Sequence, residues 1–166
     1  MKNQRMLDEL TELMRIDESS GQETEIAELL VNKLEQMGFA ITRDEAGATF
    51  GGVCGNILAV REGERDGVVC FCSHMDRVPG GIGIKPVEED GILRSSSDTI
   101  LAADDLSGVA AILEGVRQAI ESGKALPKLE ILFTVGEEAG LYGAKAFDVS
   151  LLTSKTMYVL DSPGRI

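Results

Sequence analysis

The sequence predicts an α/β fold of three layers, in which a central sheet, mostly parallel or mixed, lies between helices. Three observations indicate this class. Segments with helical spacing of apolar residues alternate with short β-rich segments, an order typical of layered α/β domains. Residues 67–73, GVVCFCS, are apolar on both faces, as in a strand that is covered on two sides. The chain has 166 residues, 43% of them hydrophobic, which is enough for one domain with its own core.

The first two elements are predicted helices. The first carries its apolar residues on one face at helical spacing: Met6, Leu7, Leu10, Leu13 and Met14. The second starts with Ser20 and Glu23, which match the S-x-x-E pattern of a capping box, and ends at Gly38. We expect both helices to be structural.

Short β-rich runs follow, each bounded by glycine or charged residues. They predict strands over residues 39–43, 55–63 and 67–76. Residues 81–95 are predicted as a hairpin, because the Asp-Gly pair at 90–91 is a turn signal.

Helix and strand alternate again in the second half of the chain. The apolar spacing predicts a helix over residues 104–123 and a strand over 128–138. A short helix over 140–147 and a last strand over 156–161 complete the predicted order.

The composition excludes several classes of function. The formal net charge of −12 disfavours binding to nucleic acid and to anionic membranes, where Lys and Arg would be needed. No apolar stretch approaches the roughly eighteen residues of a membrane-spanning helix, and the start of the chain does not resemble a signal peptide. The three cysteines lack C-x-x-C spacing, so neither a disulfide framework nor a thiolate zinc site is indicated. We expect a cytoplasmic protein.

Polar side chains of the types that bind metals fall at the carboxyl ends of predicted strands or at the start of a helix. They are His74, Asp76, Asp104, Glu137, Glu138 and Asp161. In open α/β sheets, ligands bind in the crevice outside these strand ends. The sequence therefore predicts that these side chains converge on one site.

The residue types in this set favour metal chemistry. One imidazole with several carboxylates suits a divalent metal, and bridging carboxylates favour two ions side by side. His74 and Asp76 would leave a strand on the same side, so that Asp76 could accept from one ring nitrogen while the other faces a metal or a proton. One of Glu137 and Glu138 could bind metal while the other acts as general base. Each pattern alone has a structural explanation, such as an N-cap role for Asp104, but their coincidence favours the chemical interpretation.

Five motifs follow one another along the chain: SHMDRVPGG, GIGIKP, ILAADDLSGVAAILE, FTVGEEAGLYGAKAF and VLDSPG. In this order they resemble motifs of the dinuclear zinc metallopeptidases that include peptidase T, carboxypeptidase G and acetylornithine deacetylase. The chain is most similar to the peptidase T-like branch, over essentially its whole length. A related dinuclear aminopeptidase family also uses H-x-D with an aspartate pair and a glutamate pair, but DRVPGGIGIKP is more similar to the peptidase T-like pattern.

The resemblance implies a site for two Zn²⁺ ions, which Co²⁺ or Mn²⁺ could replace. The implied metal ligands are His74, Asp104, Glu138 and Asp161. Asp104 would bridge the two ions and precede a cis peptide bond. His74 and Asp161 would bind the first ion, and Glu138 the second.

The resemblance also implies catalytic roles for two residues. Asp76 would orient the ring of His74, and Glu137 would be the general base. The implied reaction is hydrolysis of a peptide bond, with release of the N-terminal residue of a small peptide substrate.

The chain departs from the family pattern in two respects. Family members usually have lysine where Leu106 stands. They are also longer, because a lid and dimerisation domain follows the last motif and the catalytic domain then resumes to supply a second histidine. Residues 1–166 are therefore expected to form the N-terminal part of a metallopeptidase catalytic domain, with the lid domain and the C-terminal part absent. We expect the isolated chain to be inactive, and its exposed sheet edge to allow self-association.

Two alternatives stay open from the sequence. The first is an amide deacylase or deacetylase of the same family, because the ligands set the reaction while absent residues set the substrate. The second is a non-catalytic module that binds metal or serves in interactions. The lack of a second histidine favours that module, and the intact set of ligand residues argues against it.

Overall fold

The computed structural model describes residues 4–161, and its helices and strands alternate largely as the sequence predicts. The helices are α1 (Gln4–Met14), α2 (Thr24–Gln36), α3 (Ala103–Glu121) and α4 (Tyr142–Ala146). The strands are β1 (Ala40–Arg43), β2 (Ile57–Arg61), β3 (Val68–His74), β4 (Pro86–Glu89), β5 (Ile92–Ser95), β6 (Lys128–Thr134) and β7 (Met157–Val159). Two 3₁₀ helices, Ala46–Thr49 and Val149–Leu151, lie in the connections.

Five strands form one mixed sheet in the order β1-β2-β6-β3-β7. Strand β3 pairs in parallel with both β6 and β7, whereas β2 pairs antiparallel with both β1 and β6. The predicted central position of residues 67–73 is confirmed, because β3 has a neighbour on each side. The carboxyl ends of β3, β6 and β7 consequently lie at one edge of the sheet.

Both faces of the sheet are covered, which confirms the predicted three layers. On one face, α2 and α3 pack against the sheet, α1 packs against α3, and the three helices form the main core with the sheet. The sheet residues of that core are Ile57, Ala59, Leu129, Ile131 and Phe133. On the other face, Cys72 and Leu132 lie opposite Phe147, in a thinner layer made by α4 and the residues after it.

Ion pairs join the three long helices at the border of the core. Arg5 of α1 lies 2.7 Å from Glu114 of α3. Glu9 of α1 contacts Lys33 of α2 at 2.7 Å and Arg117 of α3 at 2.8 Å. These contacts fix α1 between its two neighbours.

Helix α2 begins at Thr24, and the capping box predicted from Ser20 is wrong. Instead, the carboxylate of Glu18 accepts hydrogen bonds from the amides of Glu25 and Ile26 in the first turn. A helix start leaves its first amides without partners inside the helix, and a carboxylate also suits the positive end of the helix dipole. The longer side chain of Glu18 therefore reaches amides that the sequence pattern assigned to a local serine.

The predicted hairpin is confirmed, since β4 and β5 form a separate two-stranded antiparallel sheet. Asp90 and Gly91 have φ values of +54° and +75°. Two consecutive left-handed residues match the twist of the flanking strands in a two-residue hairpin turn.

Helix α3 is the longest helix, with 19 residues, and it starts irregularly. The backbone of Asp104 and Asp105 is not helical, so regular helix begins at Leu106. Leu106 is fully buried in the core, which explains how an apolar residue suits the position where the family usually has lysine. Within residues 4–161 no helix combines the length and the apolar character needed to cross a membrane.

Candidate metal centre

Strand order brings the predicted site residues to one edge of the sheet. His74 ends β3, and its register partner on the parallel strand β6 is Thr134. Glu137 and Glu138 follow β6 after two connecting residues, and Asp161 follows β7. The carboxyl ends of these three parallel neighbours therefore lie side by side.

His74 is buried, and its ring contacts both the backbone and the side chain of Asp76. Its Nδ1 lies 3.1 Å from the carbonyl oxygen of Asp76 and 3.3 Å from Oδ1 of the same residue. The other ring nitrogen, Nε2, lies 3.3 Å from Oδ1 of Asp104. With Nδ1 occupied, Nε2 is the nitrogen that faces the site.

Asp76 also holds the turn that carries the two glutamates. Its Oδ1 accepts from the amide of Glu137 at 2.9 Å, and its Oδ2 accepts from the amide of Glu138 at 3.1 Å. The expectation from sequence was that Asp76 orients the histidine ring. The geometry adds a second task, because the same buried carboxylate also fixes two successive backbone amides.

The two aspartates at the start of α3 point in different directions. Asp104 and Asp105 are joined by a cis peptide bond, as the family resemblance implied. Asp104 is exposed at the site, whereas Asp105 is buried and accepts from the Ser73 hydroxyl and from the amide of Gly108. A Cβ on Gly108 would lie 2.4 Å from Oδ1 of Asp105, so this approach requires glycine. Asp105 thus anchors the segment that presents Asp104.

Three residues form a group that could hold a metal ion. Their ligand atoms, on His74, Asp104 and Glu138, all lie within 4.8 Å of one another. Two ligands each bound at about 2.1 Å to a tetrahedral zinc ion lie roughly 3.4 Å apart. The observed 3.3 Å between His74 Nε2 and Asp104 Oδ1 agrees with that separation. A neutral imidazole and two carboxylates suit a borderline divalent cation.

Glu137 and Asp161 stand beside this group rather than in it. Oε2 of Glu137 is 3.9 Å from Nε2 of His74. Asp161 lines the same cavity as His74 and Glu137, a space of about 230 Å³ whose other walls are largely apolar. The structure therefore brings His74, Asp104 and Glu138 together, and leaves Asp161 at the border of the site.

Burial and neighbouring groups shift the pKa values of the site residues in different directions. Burial alone would lower the pKa of His74, but the hydrogen bond and charge of Asp76, with Asp105 and Glu137, raise it to about 9. Burial alone would raise the pKa of Asp76, but His74 and the Glu137 amide outweigh it and hold that pKa below its usual value. Burial, followed by neighbouring carboxylates, raises the pKa of Glu137 and of Glu138 although His74 opposes it.

The sequence did not predict two buried residues, Asn56 and Glu23, that hydrogen-bond the backbone of the segment following β6. Asn56 donates to the carbonyl of Gly143 at 2.9 Å and accepts from the amide of Val135 at 3.1 Å, so it joins the end of β6 to α4. Glu23 accepts from the amide of Gly136 at 3.1 Å. The position of Glu23 before α2 suggested only a local cap. The sequence carries no signal for a contact between residues that are more than a hundred positions apart.

Comparison with known proteins gives a consistent family. The model of peptidase family M28 matches residues 56–162. The protein YqjE of Bacillus subtilis is 37% identical over 167 residues, which cover 100% of this chain and 45% of that protein. The crystal structure of the aminopeptidase PepT from Bacillus cereus is 38% identical, with a TM-score of 0.94, and the match covers 99% of this chain and 44% of that one. A tripeptidase structure from Staphylococcus aureus is 33% identical, with a TM-score of 0.92, over 98% of this chain and 44% of that one. The chain thus spans less than half the length of these relatives.

Proposed function

Because this chain belongs to peptidase family M28, as its match to that family and its similarity to peptidase T-like proteins show, we propose that it is part of a metal-dependent aminopeptidase acting on small peptides. The observation that carries the proposal is the group of His74, Asp104 and Glu138 with Glu137 beside it. The names of the two similar structures, an aminopeptidase and a tripeptidase, support release of the N-terminal residue.

We propose that the complete site holds two Zn²⁺ ions. His74, Asp104, Glu138 and Asp161 would hold the ions, and Co²⁺ or Mn²⁺ would suit the same donors. When bound, such ions lower the pKa of a water molecule and polarise the carbonyl under attack. The proximity of three of these donors supports the assignment.

Glu137 is the proposed general base. It takes a proton from the water whose oxygen forms the new bond to the peptide carbonyl carbon. It then gives that proton to the amine nitrogen as the C–N bond breaks, so that an amino acid and a shortened peptide leave. Asp76 keeps both Glu137 and the His74 ring in place.

We also propose that residues 1–166 correspond to the N-terminal part of the catalytic domain. In this proposal a lid domain, and the histidine that completes the second metal position, belong to the remainder of the protein. The share of each relative that the chain covers, 44–45%, supports this division. The isolated chain would then not hydrolyse peptides.

The free side of strand β7 is the proposed contact for self-association of the isolated chain. Among residues 4–161, β7 pairs with β3 alone, and Tyr158 and Val159 are each 57% exposed. An unpaired edge offers backbone groups to another strand. Sedimentation should show an associated species that the substitution Val159→Lys reduces, and a monomer at all concentrations would refute this contact.

We place the protein in the cytoplasm. Its three cysteines are free, and Cys70 and Cys72 are buried on β3. Unpaired cysteines are typical of a reducing compartment.

A chimera tests the proposed activity directly. This chain would replace the matching segment of the Bacillus cereus aminopeptidase, and tripeptide cleavage would be measured with and without chelator. We expect metal-dependent cleavage, and a loss of at least about a hundredfold in kcat for Glu137→Gln, because the general base is removed. A folded chimera that binds metal but leaves tripeptides intact would refute the peptidase assignment. Cleavage by the isolated 166-residue chain would refute its proposed inactivity.

A further inference from the structure

Three consecutive backbone amides, those of residues 136–138, donate hydrogen bonds to buried carboxylates. Two carboxylates, on Asp76 and Glu23, accept these three hydrogen bonds. Asp76 accepts from Glu137 and Glu138, as described above. Glu23 accepts from the amide of Gly136, directly before them, at 3.1 Å. The turn that presents both site glutamates is therefore fixed at every successive amide from 136 to 138.

Glu23 is buried far more deeply than its position next to a helix start would require. It is only 1% exposed. One oxygen, Oε1, accepts from Gly21 at 2.8 Å as well as from Gly136, while Oε2 has no hydrogen-bond partner among residues 4–161. Burying a carboxylate with an unpaired oxygen costs stability. Glu23 does not cap α2 through its side chain, so capping does not explain its burial.

The same turn is held on its other side by an aromatic ring. Gly136 has φ +59°, and a Cβ there would lie 2.5 Å from Cζ of Phe50. The ring of Phe50 stacks on Tyr142 at 4.9 Å between centroids. The turn is thus packed against Phe50, bonded to Glu23 at its first amide, and bonded to Asp76 at the next two.

We propose that Glu23 is a positioning residue for the metal centre. It sets the direction in which the chain leaves β6, and hence where the carboxylates of Glu137 and Glu138 stand relative to His74. The inference rests on the proposed metal-binding function, because positioning has a consequence only if those carboxylates bind metal or act on water. Groups that orient ligands in this way typically change metal affinity by about 10- to 100-fold when removed.

The test uses the 166-residue chain with three substitutions. Glu23→Ala removes the acceptor, and Glu23→Gln keeps an oxygen that can accept from both amides. Glu9→Ala is the matched control, because Glu9 is also a buried glutamate, at 5% exposure, but contacts Lys33 and Arg117 away from the site. Two quantities are measured: the Zn²⁺ dissociation constant by calorimetry, and hydrogen exchange at the amides of residues 136–138 without metal.

Glu23→Ala should raise the Zn²⁺ dissociation constant about tenfold or more and speed exchange at residues 136–138. The Zn²⁺ dissociation constant of Glu23→Gln should stay within about threefold of that of the unsubstituted chain, because the glutamine amide oxygen replaces the lost acceptor. Glu9→Ala should lower thermal stability without changing either quantity at the site.

Several results would overturn the inference. Unchanged Zn²⁺ affinity in Glu23→Ala would show that Glu23 has only a structural role. A loss of Zn²⁺ affinity in Glu23→Gln equal to that in Glu23→Ala would show that the hydrogen bonds accepted by residue 23 do not position the metal ligands. Loss of affinity in Glu9→Ala to the same extent would attribute the effect to general destabilisation. If the unsubstituted chain binds no Zn²⁺ while exchange at 136–138 still responds to Glu23→Ala, the proposed metal function fails, and the role of Glu23 at a metal centre fails with it.

Discussion

His74 shows how a single residue acquires its chemical character from its neighbours. Its ring is buried, which alone would favour the neutral form. Asp76 lies 3.3 Å from Nδ1 and reverses that preference, so the pKa rises to about 9. The pattern H-x-D predicted this pair on the assumption that both residues lie in one strand. In the structure β3 ends at His74, and Asp76 contacts the ring from the residues that follow the strand.

The titration of His74 in the metal-free chain tests this account. The chain has one histidine, so a proton spectrum recorded with chelator contains one imidazole to follow. We expect its pKa near 9, and a fall of about one to three units in Asp76→Asn, since the charged partner is lost while burial remains. Asp66→Asn, before the start of β3, should leave the titration unchanged. A pKa that is the same in Asp76→Asn would show that Asp76 does not set the state of the ring.

Glycines near the site provide a second test on single residues. A Cβ at Gly143 would lie 2.3 Å from the carbonyl oxygen of Val135 and 2.4 Å from Oδ1 of Asn56. We expect Gly143→Ala to lower the free energy of unfolding by about 1–3 kcal/mol, because the contact between β6 and α4 must open. Gly115→Ala, on α3, is the matched control, because its Cβ would meet nothing within 4 Å.

Denaturant unfolding of both variants measures these effects. Gly115→Ala should stabilise the chain by about 0.5–1 kcal/mol, since alanine loses less backbone entropy in a helix than glycine. Equal changes in the two variants would contradict the close packing at Gly143.

At the scale of elements, local patterns predicted most helices and strands but not how they are held. Periodicity placed α1, α3 and the β6 strand, because each buries one face or both. The capping box predicted at the start of α2 was wrong, because its residues make other contacts. Glu18 accepts hydrogen bonds from the first turn of α2, and Glu23 accepts from the amide of Gly136, which is far away in sequence. The cis peptide bond between Asp104 and Asp105 was expected only from the family resemblance, and the helix predicted from residue 104 is irregular at these two residues.

The ion pair between α1 and α3 predicts a pH-dependent stability. The hydrogen bond from Arg5, which outweighs burial, lowers the pKa of Glu114 to about 2, against about 4.3 for an ordinary glutamate. A lowered folded pKa contributes stability that is present above about pH 4.3 and is lost as the pH falls towards 2. Arg5→Ala should therefore lower the melting temperature at pH 7, and the difference from the unsubstituted chain should shrink as the pH approaches 2.

Melting curves from pH 7 to pH 2 check this prediction. Arg94→Ala serves as the control, because no ion pair of Arg94 occurs among residues 4–161. A difference for Arg5→Ala that is constant over the whole range would show that the ion pair does not contribute.

At the scale of the whole molecule, the sheet joins residues that no local pattern relates. Residues 67–73 identified β3 as central, and the mixed sheet followed from the alternation of helices and strands. The insertion of β6 between β2 and β3 could not be predicted, because it pairs Ile57 with Phe133, far apart in sequence. This insertion places Glu137 and Glu138 next to His74. The convergence of the candidate residues on one site was predicted from their positions at strand ends, whereas the strand order that brings His74 to Glu138 required the fold.

The most direct test of the central claim is a Zn²⁺ titration of the metal-stripped chain by calorimetry, with His74→Ala as control. The proposed centre predicts at least one bound ion in the unsubstituted chain and loss of that binding in His74→Ala, because Nε2 is the donor that Asp104 and Glu138 surround. Circular dichroism of both proteins establishes that the substitution leaves the fold intact. An unsubstituted chain that binds no Zn²⁺, or a His74→Ala variant that binds as tightly, would contradict the assignment of this strand edge as a metal centre.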